Sequence, residues 1–108
     1  IFSNCVVDGN GSNEIICDTL DRIDTGIDPN FVFNYCALKT EDTLSNSPFF
    51  TNCFQNLKSY FINPQEWNFE LTDSSNLIDL GNVNSTINED LLERSRNIPN
   101  DLGCYEYY

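Results

Sequence analysis

The chain contains the stretch Tyr60-Phe61-Ile62-Asn63-Pro64, then Trp67-Asn68-Phe69-Glu70-Leu71, then Asn76-Leu77-Ile78-Asp79-Leu80-Gly81. A related pattern closes the chain as Asp101-Leu102-Gly103-Cys104-Tyr105-Glu106-Tyr107. Ten of the fourteen aromatic residues lie from Phe49 onward, and large rings are most commonly used to build a buried core. We therefore expect the rest of the chain to be organised around these segments.

In order and spacing, these segments resemble the closing part of bacterial surface proteins built on the right-handed parallel β-helix, the pectate-lyase-like fold. The resemblance is to the group called choice-of-anchor Q domain proteins. In that group an aromatic-Asp-Pro turn leads to a Phe-x-Leu strand and a Ser-Pro-Ala-Ile-Asp-Ala-Gly segment, and the domain closes on Asp-Ile-Gly-Ala-Tyr-Glu-Tyr. Here Asn63 replaces the Asp of the turn, while Leu77, Leu80 and Cys104 replace small residues.

The resemblance implies an all-β fold: the last coils of a right-handed parallel β-helix, closed by an irregular aromatic C-terminal cap. It assigns residues 1–57 to the terminal coils and residues 58–108 to the capping segment of the same structural domain. A chain of 108 residues is one domain's worth. The sequence contains no Met, so we expect a fragment whose N-terminal portion is missing.

The charge balance excludes several classes of partner. Seventeen acidic residues against five basic ones give a net charge of −12, which repels phosphate backbones and anionic membrane surfaces. We therefore expect no nucleic-acid partner. The apolar runs are only a few residues long, far below the roughly 20 residues that a membrane-spanning helix needs.

The first half reads as short strands separated by polar turns. Strands are predicted near residues 1–7, 14–17, 31–39 and 48–56, and polar loops at 18–30 and 40–47. An internal echo links three of these strands, at Asn4-Cys5, Tyr35-Cys36 and Asn52-Cys53, with intervals of 31 and 17 residues. Such unequal intervals are not those of a strict solenoid repeat.

From this echo we predict that Cys5, Cys36 and Cys53 point inward and stack. Asn4 and Asn52 are predicted at the bends between strands, where their amides would hydrogen-bond one another along the stack. The alternative is that these asparagines line a ligand groove.

The five cysteines cannot all pair within one chain. There is no Cys-x-x-Cys spacing and no His, so zinc and redox motifs are unsupported. We interpret the cysteines as small buried apolar residues. A disulfide framework remains the alternative.

Two readings apply to residues 86–96, and we keep the prediction of a helix of one or two turns. Thr86-Ile87-Asn88-Glu89 fits a capping box and predicts a short helix at about 88–95. The family resemblance implies a loop instead, because the family carries an Asp-x-x-Gly-x-x-Arg pattern here. Asp90 and Arg96 match that pattern, and Glu93 takes the place of its Gly.

Candidate sites are few. The segment from Asp8 to Ser12 resembles the start of a calcium loop, but Asn13 and Thr19 occupy the positions of the required Gly and Glu. A plain turn is predicted there. The acidic run of Asp18, Asp21, Asp24 and Asp28 is interpreted as a solvated loop, with weak calcium binding as the alternative.

We predict no catalytic, cofactor-binding or metal-binding residues. The chain has no His, two Lys and three Arg, and it lacks the signatures of β-helix hydrolases, phosphate loops and nucleophile elbows. Trp67 is predicted to belong to the core of the cap. Stacking of Trp67 on sugar rings is the alternative reading.

The expected function is that of a non-catalytic C-terminal part of a larger secreted or cell-surface β-helix protein, associated with polysaccharide binding or adhesion. The partners implied are the remainder of that β-helix before Ile1, a polysaccharide, and a second copy through the exposed N-terminal coil. An anchor of lipoprotein type would lie in the missing portion. The alternatives are the accessory end of a polysaccharide lyase or hydrolase whose catalytic coils precede Ile1, and a free-standing acidic binding module.

Overall fold

A computed structural model describes residues 1–15, 31–41, 44 and 49–108. Within these ranges the chain forms eight short strands and one 3-10 helix. The strands are β1 (Phe2–Ser3), β2 (Val6–Val7), β3 (Phe33–Asn34), β4 (Ala37–Leu38), β5 (Phe50–Thr51), β6 (Phe54–Gln55), β7 (Phe61–Asn63) and β8 (Asn68–Leu71), and the 3-10 helix is Pro64–Glu66.

Three of the predicted strands are each split in two by a residue with left-handed backbone geometry. Asn4, Tyr35 and Asn52 have φ values of 54°, 53° and 53°. Asn adopts this conformation more readily than other non-glycine residues because its short polar side chain can hydrogen-bond locally. The predicted position of Asn4 and Asn52 at bends is therefore confirmed, and Tyr35 occupies the equivalent bend.

The strand–bend–strand units lie side by side in parallel register. Strands β1, β3 and β5 form one three-stranded sheet, and β2, β4 and β6 form another. Phe2 is paired with Phe33 and Phe33 with Phe50, while Val6, Ala37 and Phe54 are aligned in the second sheet. The intervals of 31 and 17 residues seen in the sequence echo are thus the register offsets of the sheets.

The predicted right-handed parallel β-helix is wrong for this chain. The strands form two separate three-stranded parallel sheets and one antiparallel pair, and no sheet in the described ranges closes on itself or continues as a solenoid. The left-handed bends limit each parallel strand to two residues. After β6 the next strand pair is antiparallel, so parallel pairing ends there.

Two apolar clusters pack on opposite faces of the sheet formed by β2, β4 and β6. Ala37 lies in one cluster with Leu71, Leu77 and Leu102. The next residue, Leu38, lies in the other cluster with Phe33 and Cys36. Successive side chains of a strand point to opposite faces, so this one sheet joins the second half of the chain to the first.

The predicted turn at Asn63-Pro64 and the strand after it are confirmed. Strands β7 and β8 pair antiparallel, with Phe61 opposite Leu71 and Asn63 opposite Asn68. Pro64 begins the 3-10 helix between them, where the fixed φ of proline is compatible with a helix start. Trp67 ends the turn with a φ of 61°, and its N–H donates to the carbonyl of Pro64 at 3.2 Å.

The helix predicted at 88–95 is wrong, and the loop implied by the family pattern is confirmed. Glu89 and Ser95 form an isolated antiparallel bridge. The carboxylate of Asp90 accepts the N–H groups of Leu92 and Arg94, at 2.8 and 3.0 Å, which closes a tight turn. Glu93 has a φ of 60°, a conformation that favours the Gly of the pattern.

Candidate binding site

A cavity of about 480 Å³ lies between the first strands and the second half of the chain. Its walls come from three regions: Ser3 and Val6 of the first strands, Phe61 and Phe69 of the hairpin, and Asn100 and Leu102 near the C-terminus. The volume falls within the range of about 300–1,000 Å³ typical of ligand pockets. The mixture of aromatic rings with a few polar groups is also typical of such sites.

The first wall is the outer edge of β1 and β2. Gly103 closes one end of it, because its N–H donates to the carbonyl of Asn4 at 2.8 Å. Gly103 has a φ of 96°, and a β-carbon there would lie 3.4 Å from Val6 Cγ2. A glycine is suited to this position because its backbone adopts a positive φ without strain.

Asn4 does not serve the role that was predicted for its side chain. Its Oδ1 accepts the N–H of Asn82 at 3.0 Å rather than bonding the amide of Asn52. Tyr35 occupies the bend between those of Asn4 and Asn52, so the two amides are not on adjacent units. Asn4 therefore ties the first bend to the second half of the chain.

The second wall is an aromatic series on the hairpin. The rings of Phe61 and Phe69 lie 5.4 Å apart and nearly perpendicular, and the rings of Phe69 and Trp67 lie 6.4 Å apart. Phe61 and Phe69 face the cavity, whereas Trp67 is 82% exposed. The prediction that Trp67 belongs to the core of the cap is wrong, because the left-handed turn directs this residue outward.

The third wall is supported by carboxylates that accept backbone N–H groups. Asp101, which is buried, accepts the N–H of Asp79 at 2.8 Å and that of Tyr107 at 2.6 Å. The N–H of Leu102 donates to the carbonyl of Leu77 at 3.0 Å. The two segments that stand out in the sequence, at 76–81 and 101–107, are therefore bonded directly to each other.

Glu106 and Arg96 form the buried ion pair of this region. Glu106 accepts the N–H groups of Asn97 and Asp101, at 2.7 and 3.1 Å, and Arg96 NH1 lies 3.3 Å from its Oε2. Arg96 also donates to the carbonyls of Glu89, Asp101 and Gly103. Its guanidinium therefore holds backbone in place and is not presented to a ligand, although the residue borders the cavity.

Asp90 supports the loop in the same manner. Burial by itself would raise the pKa of this carboxyl, but hydrogen bonds from the guanidinium and N–H of Arg94 and from the N–H groups of Glu106 and Leu92 outweigh burial. The net result lowers the pKa of Asp90 from 3.8 to about 2. A carboxylate held ionised by these bonds is suited to fixing a loop and not to exchanging protons with a substrate.

The cysteines that the structure describes are free thiols. Cys36 is fully buried, and Cys5 and Cys53 are half-buried against the same apolar cluster, which confirms that these three point inward. Burial raises the pKa of Cys36 to about 11. Cys104 is exposed, so the prediction that the cysteines are buried is wrong for this residue, and partial desolvation raises the pKa of its thiol. Both thiols are thus poor nucleophiles at neutral pH. Cys17 lies outside the described residues.

The structure describes one of the two candidate calcium segments. Within residues 1–15, 31–41, 44 and 49–108, no group of three or more His, Cys, Asp or Glu side chains is arranged to hold a metal ion. The segment at 8–12 forms the plain turn that was predicted, in which Asp8 accepts the N–H of Gly9 at 2.8 Å. The acidic run of Asp18, Asp21, Asp24 and Asp28 lies outside the described residues.

A column of stacked phenylalanines in the first half was not predicted from the sequence. The echo of bend and cysteine begins two residues earlier with a phenylalanine, at Phe2, Phe33 and Phe50, and the rings of consecutive units stack at 4.8 and 5.8 Å. Aligning the three Asn-Cys or Tyr-Cys pairs would have revealed this column. The cavity walls at Phe61 and Phe69 had no comparable signal, because their position depends on the hairpin turn.

No family model, curated protein or solved structure matches the chain. In the part of the chain that the structure describes, no helix has the length and apolar character needed to cross a bilayer. The geometry of the site is therefore the basis on which a function is argued.

Proposed function

We propose that the chain is a non-catalytic binding module of a secreted or cell-surface protein, and that its hairpin holds a polysaccharide. The observation that carries this proposal is the 82% exposure of Trp67. A large ring exposed at the end of a defined turn offers a broad apolar face on which a sugar ring can stack. Trp and Tyr are enriched at binding surfaces because they offer a broad apolar face together with a polar group.

The local structure prepares Trp67 for stacking. Its backbone is fixed by the turn bond to Pro64, and its ring is supported at an angle of 72° by Phe69. A ring held in this way loses little conformational freedom when a sugar ring stacks on it, which lowers the entropic cost of binding. The exposed side chains of Gln65 and Glu66 lie in the same turn and can hydrogen-bond sugar hydroxyls.

The charge of the molecule favours a neutral polysaccharide over a polyuronate. The net charge is −12, which repels a carboxylate polymer at long range. The arginine that borders the cavity is bonded to backbone carbonyls and to Glu106. A neutral chain of hexose rings is therefore the class of ligand that best fits the hairpin surface.

A binding role also suits the chemistry of the carboxylates. Asp90, Asp101 and Glu106 accept backbone N–H groups, and acid–base glycoside cleavage requires two carboxyl groups that face a shared substrate. These three carboxylates face the loops that they support. The proposal therefore assigns no reaction to them.

The test uses the single tryptophan as its own reporter. Titration of the protein with soluble neutral glucans or mannans is expected to change the emission of Trp67, and a polygalacturonate of similar length is expected to have no effect. Affinity electrophoresis through gels containing the same polymers then compares variants. Trp67→Ala is expected to weaken retardation by about tenfold or more, as for the loss of a central aromatic contact.

Tyr108→Ala is the matched control, because Tyr108 is also an exposed aromatic residue, at 62%, and its ring lies against Arg94 and not in the hairpin turn. It is expected to leave retardation unchanged. Equal loss in both variants, or no change in emission with any neutral polymer, would overturn the proposal.

A further inference from the structure

Among the residues that the structure describes, no strand pairs with the outer edge of β1 and β2, although at the bend between them the carbonyl of Asn4 accepts the N–H of Gly103. β3 lies between β1 and β5, and β4 lies between β2 and β6. The N–H groups of Phe2 and Asn4 donate to the carbonyls of Val32 and Asn34 at 2.8 and 3.2 Å. Because alternate residues of a strand bond to opposite sides, the N–H and C=O of Ser3 point away from β3.

Strand β2, which follows the bend at Asn4, also directs backbone groups outward. The carbonyls of Cys5 and Val7 accept the N–H groups of Ala37 and Lys39, both at 2.9 Å. Val6, between them, therefore directs its N–H and C=O away from β4, and the same residue lines the cavity. Ser3 and Val6 thus direct their N–H and C=O groups outward at the spacing of the existing parallel ladders, and the Ser3 carbonyl also accepts the thiol of Cys5 at 3.2 Å.

The ring column ends at this edge. Phe2 stacks on Phe33 at 4.8 Å with an angle of 13° between the rings. Phe33, which has a neighbouring ring on each side, is 6% exposed, whereas Phe2 is 49% exposed. One face of Phe2 is therefore in the position that a further aromatic ring would occupy.

We propose that this edge and the adjoining cavity bind an extended peptide segment of another protein, which adds a parallel strand to each of the two sheets. Strand addition of this kind obtains affinity from backbone hydrogen bonds and specificity from the pockets that receive alternate side chains. This inference is independent of the polysaccharide proposal, because it uses the strand edge and not the exposed face of Trp67.

The three existing units define the chemistry of the peptide. Each has the order aromatic, polar, left-handed Asn or Tyr, Cys, apolar, as in Phe50-Thr51-Asn52-Cys53-Phe54. A partner that follows this order stacks its aromatic residue on Phe2 and places its apolar residue beside Val6, at the cavity. The net charge of −12 favours a peptide with basic flanks.

The probe is a fluorescein-labelled peptide, Lys-Lys-Phe-Thr-Asn-Ala-Phe-Gln-Lys-Lys, in which Ala replaces the Cys of the pattern to prevent disulfide formation. A shuffled peptide of the same composition is its control. Binding is measured by fluorescence anisotropy, and amide spectra of the ¹⁵N-labelled protein locate it. We expect the Ser3 and Val6 amide signals to shift with the patterned peptide and to remain unchanged with the shuffled one.

Two variants at one position isolate the backbone contribution. Ser3→Pro removes the outward N–H while keeping a residue that an edge strand accepts, and it is expected to weaken binding about tenfold. Ser3→Thr keeps the N–H and is expected to bind as the parent does. Phe2→Ala removes the ring on which the peptide stacks. It is also expected to weaken peptide binding, and it replaces the proline variant if that variant does not fold.

Two results would overturn the proposal. One is equal affinity for both peptides, or for the folded Ser3→Pro and parent proteins. The other is concentration-dependent dimerisation, seen by sedimentation, that shifts the Ser3 and Val6 amides while the peptide does not compete, because the occupant would then be a second copy of this chain.

Discussion

The two halves of the molecule are held together by different means. In the first half, strands β1 to β6 repeat one arrangement in register, so the same positions contribute stacked phenylalanines and inward-facing cysteines. In the second half, after the hairpin, irregular loops are bonded through buried carboxylates that accept backbone N–H groups. Repetition stabilises a regular backbone, whereas buried acids stabilise one without regular pairing.

The largest loss of stability is expected at Glu106, a buried acid that holds the loops of the second half together. Glu106→Gln leaves the buried charge of Arg96 without its partner, since the side chains of Arg96 and Glu106 are 8% and 0% exposed. Breaking one side of a buried ion pair costs about 3–5 kcal/mol, so we expect a loss of that order in the free energy of unfolding, measured by urea denaturation.

Glu70→Gln is the control for that measurement. Glu70 lies 3.8 Å from Arg94 with its side chain 36% exposed, and exposed ion pairs contribute about 0–1 kcal/mol. A loss at Glu106 no larger than that at Glu70 would show that the second half does not depend on its buried acid.

A smaller effect is expected on acidification, through Asp90. Its pKa is about 2 in the folded chain against 3.8 for the ordinary carboxyl, so protons bind more readily to the unfolded state. The contribution of Asp90 to stability is therefore complete above about pH 4 and is lost as the pH falls through about 2. Urea denaturation at several pH values should show the free energy of unfolding decreasing across that window.

Asp90→Asn removes the titrating group and serves as the reference for the pH series. We expect its free energy of unfolding to be lower than that of the parent at neutral pH. The difference in free energy between the two proteins should decrease as the pH falls from 4 toward 2. A constant difference between the two proteins across this window would contradict the role given to the ionised carboxylate.

The smallest expected effect lies in the first half, at the bend residue Asn52. Asn52 is exposed and has a φ of 53°, a conformation that costs most L-residues about 1–2 kcal/mol. We expect Asn52→Ala to lower the melting temperature, whereas Asn52→Gly should hold or raise it because Gly adopts this conformation freely. Thr51→Ala, at the adjacent exposed strand position, controls for loss of the side chain; a larger effect at Thr51 would refute the argument.

Local features of the structure could be predicted from the sequence where residue chemistry decides backbone conformation. Asn4 and Asn52 at the bends and Pro64 at the turn are examples, and the cysteine echo gave the correct register. The architecture could not be predicted, because left-handed residues inside apolar runs cut each expected strand to two residues. No local pattern reveals such a division when the bend residue is Tyr35.

In the second half, too, the local sequence pattern did not predict the structure. Residues 88–95 have helix-capping chemistry, yet Asp90 uses its carboxylate to bond Leu92, Arg94 and Glu106, which a helix would prevent. The cavity beside Phe61 depends on how the hairpin packs against the first strands. Its position is set by distant contacts, which neighbouring residues in the sequence do not indicate.

The bonds between Asn4 and the second half have a consequence for how the molecule assembles. Asn82 reaches Asn4 across 78 residues, Ser59 reaches Asp8 across 51, and Gly103 bonds Asn4 near the opposite end of the chain. Folds dominated by contacts of such separation reach the native state slowly, because chain entropy is lost before the bonds form. During synthesis, the first strands must therefore wait for almost the whole sequence to emerge before they are anchored.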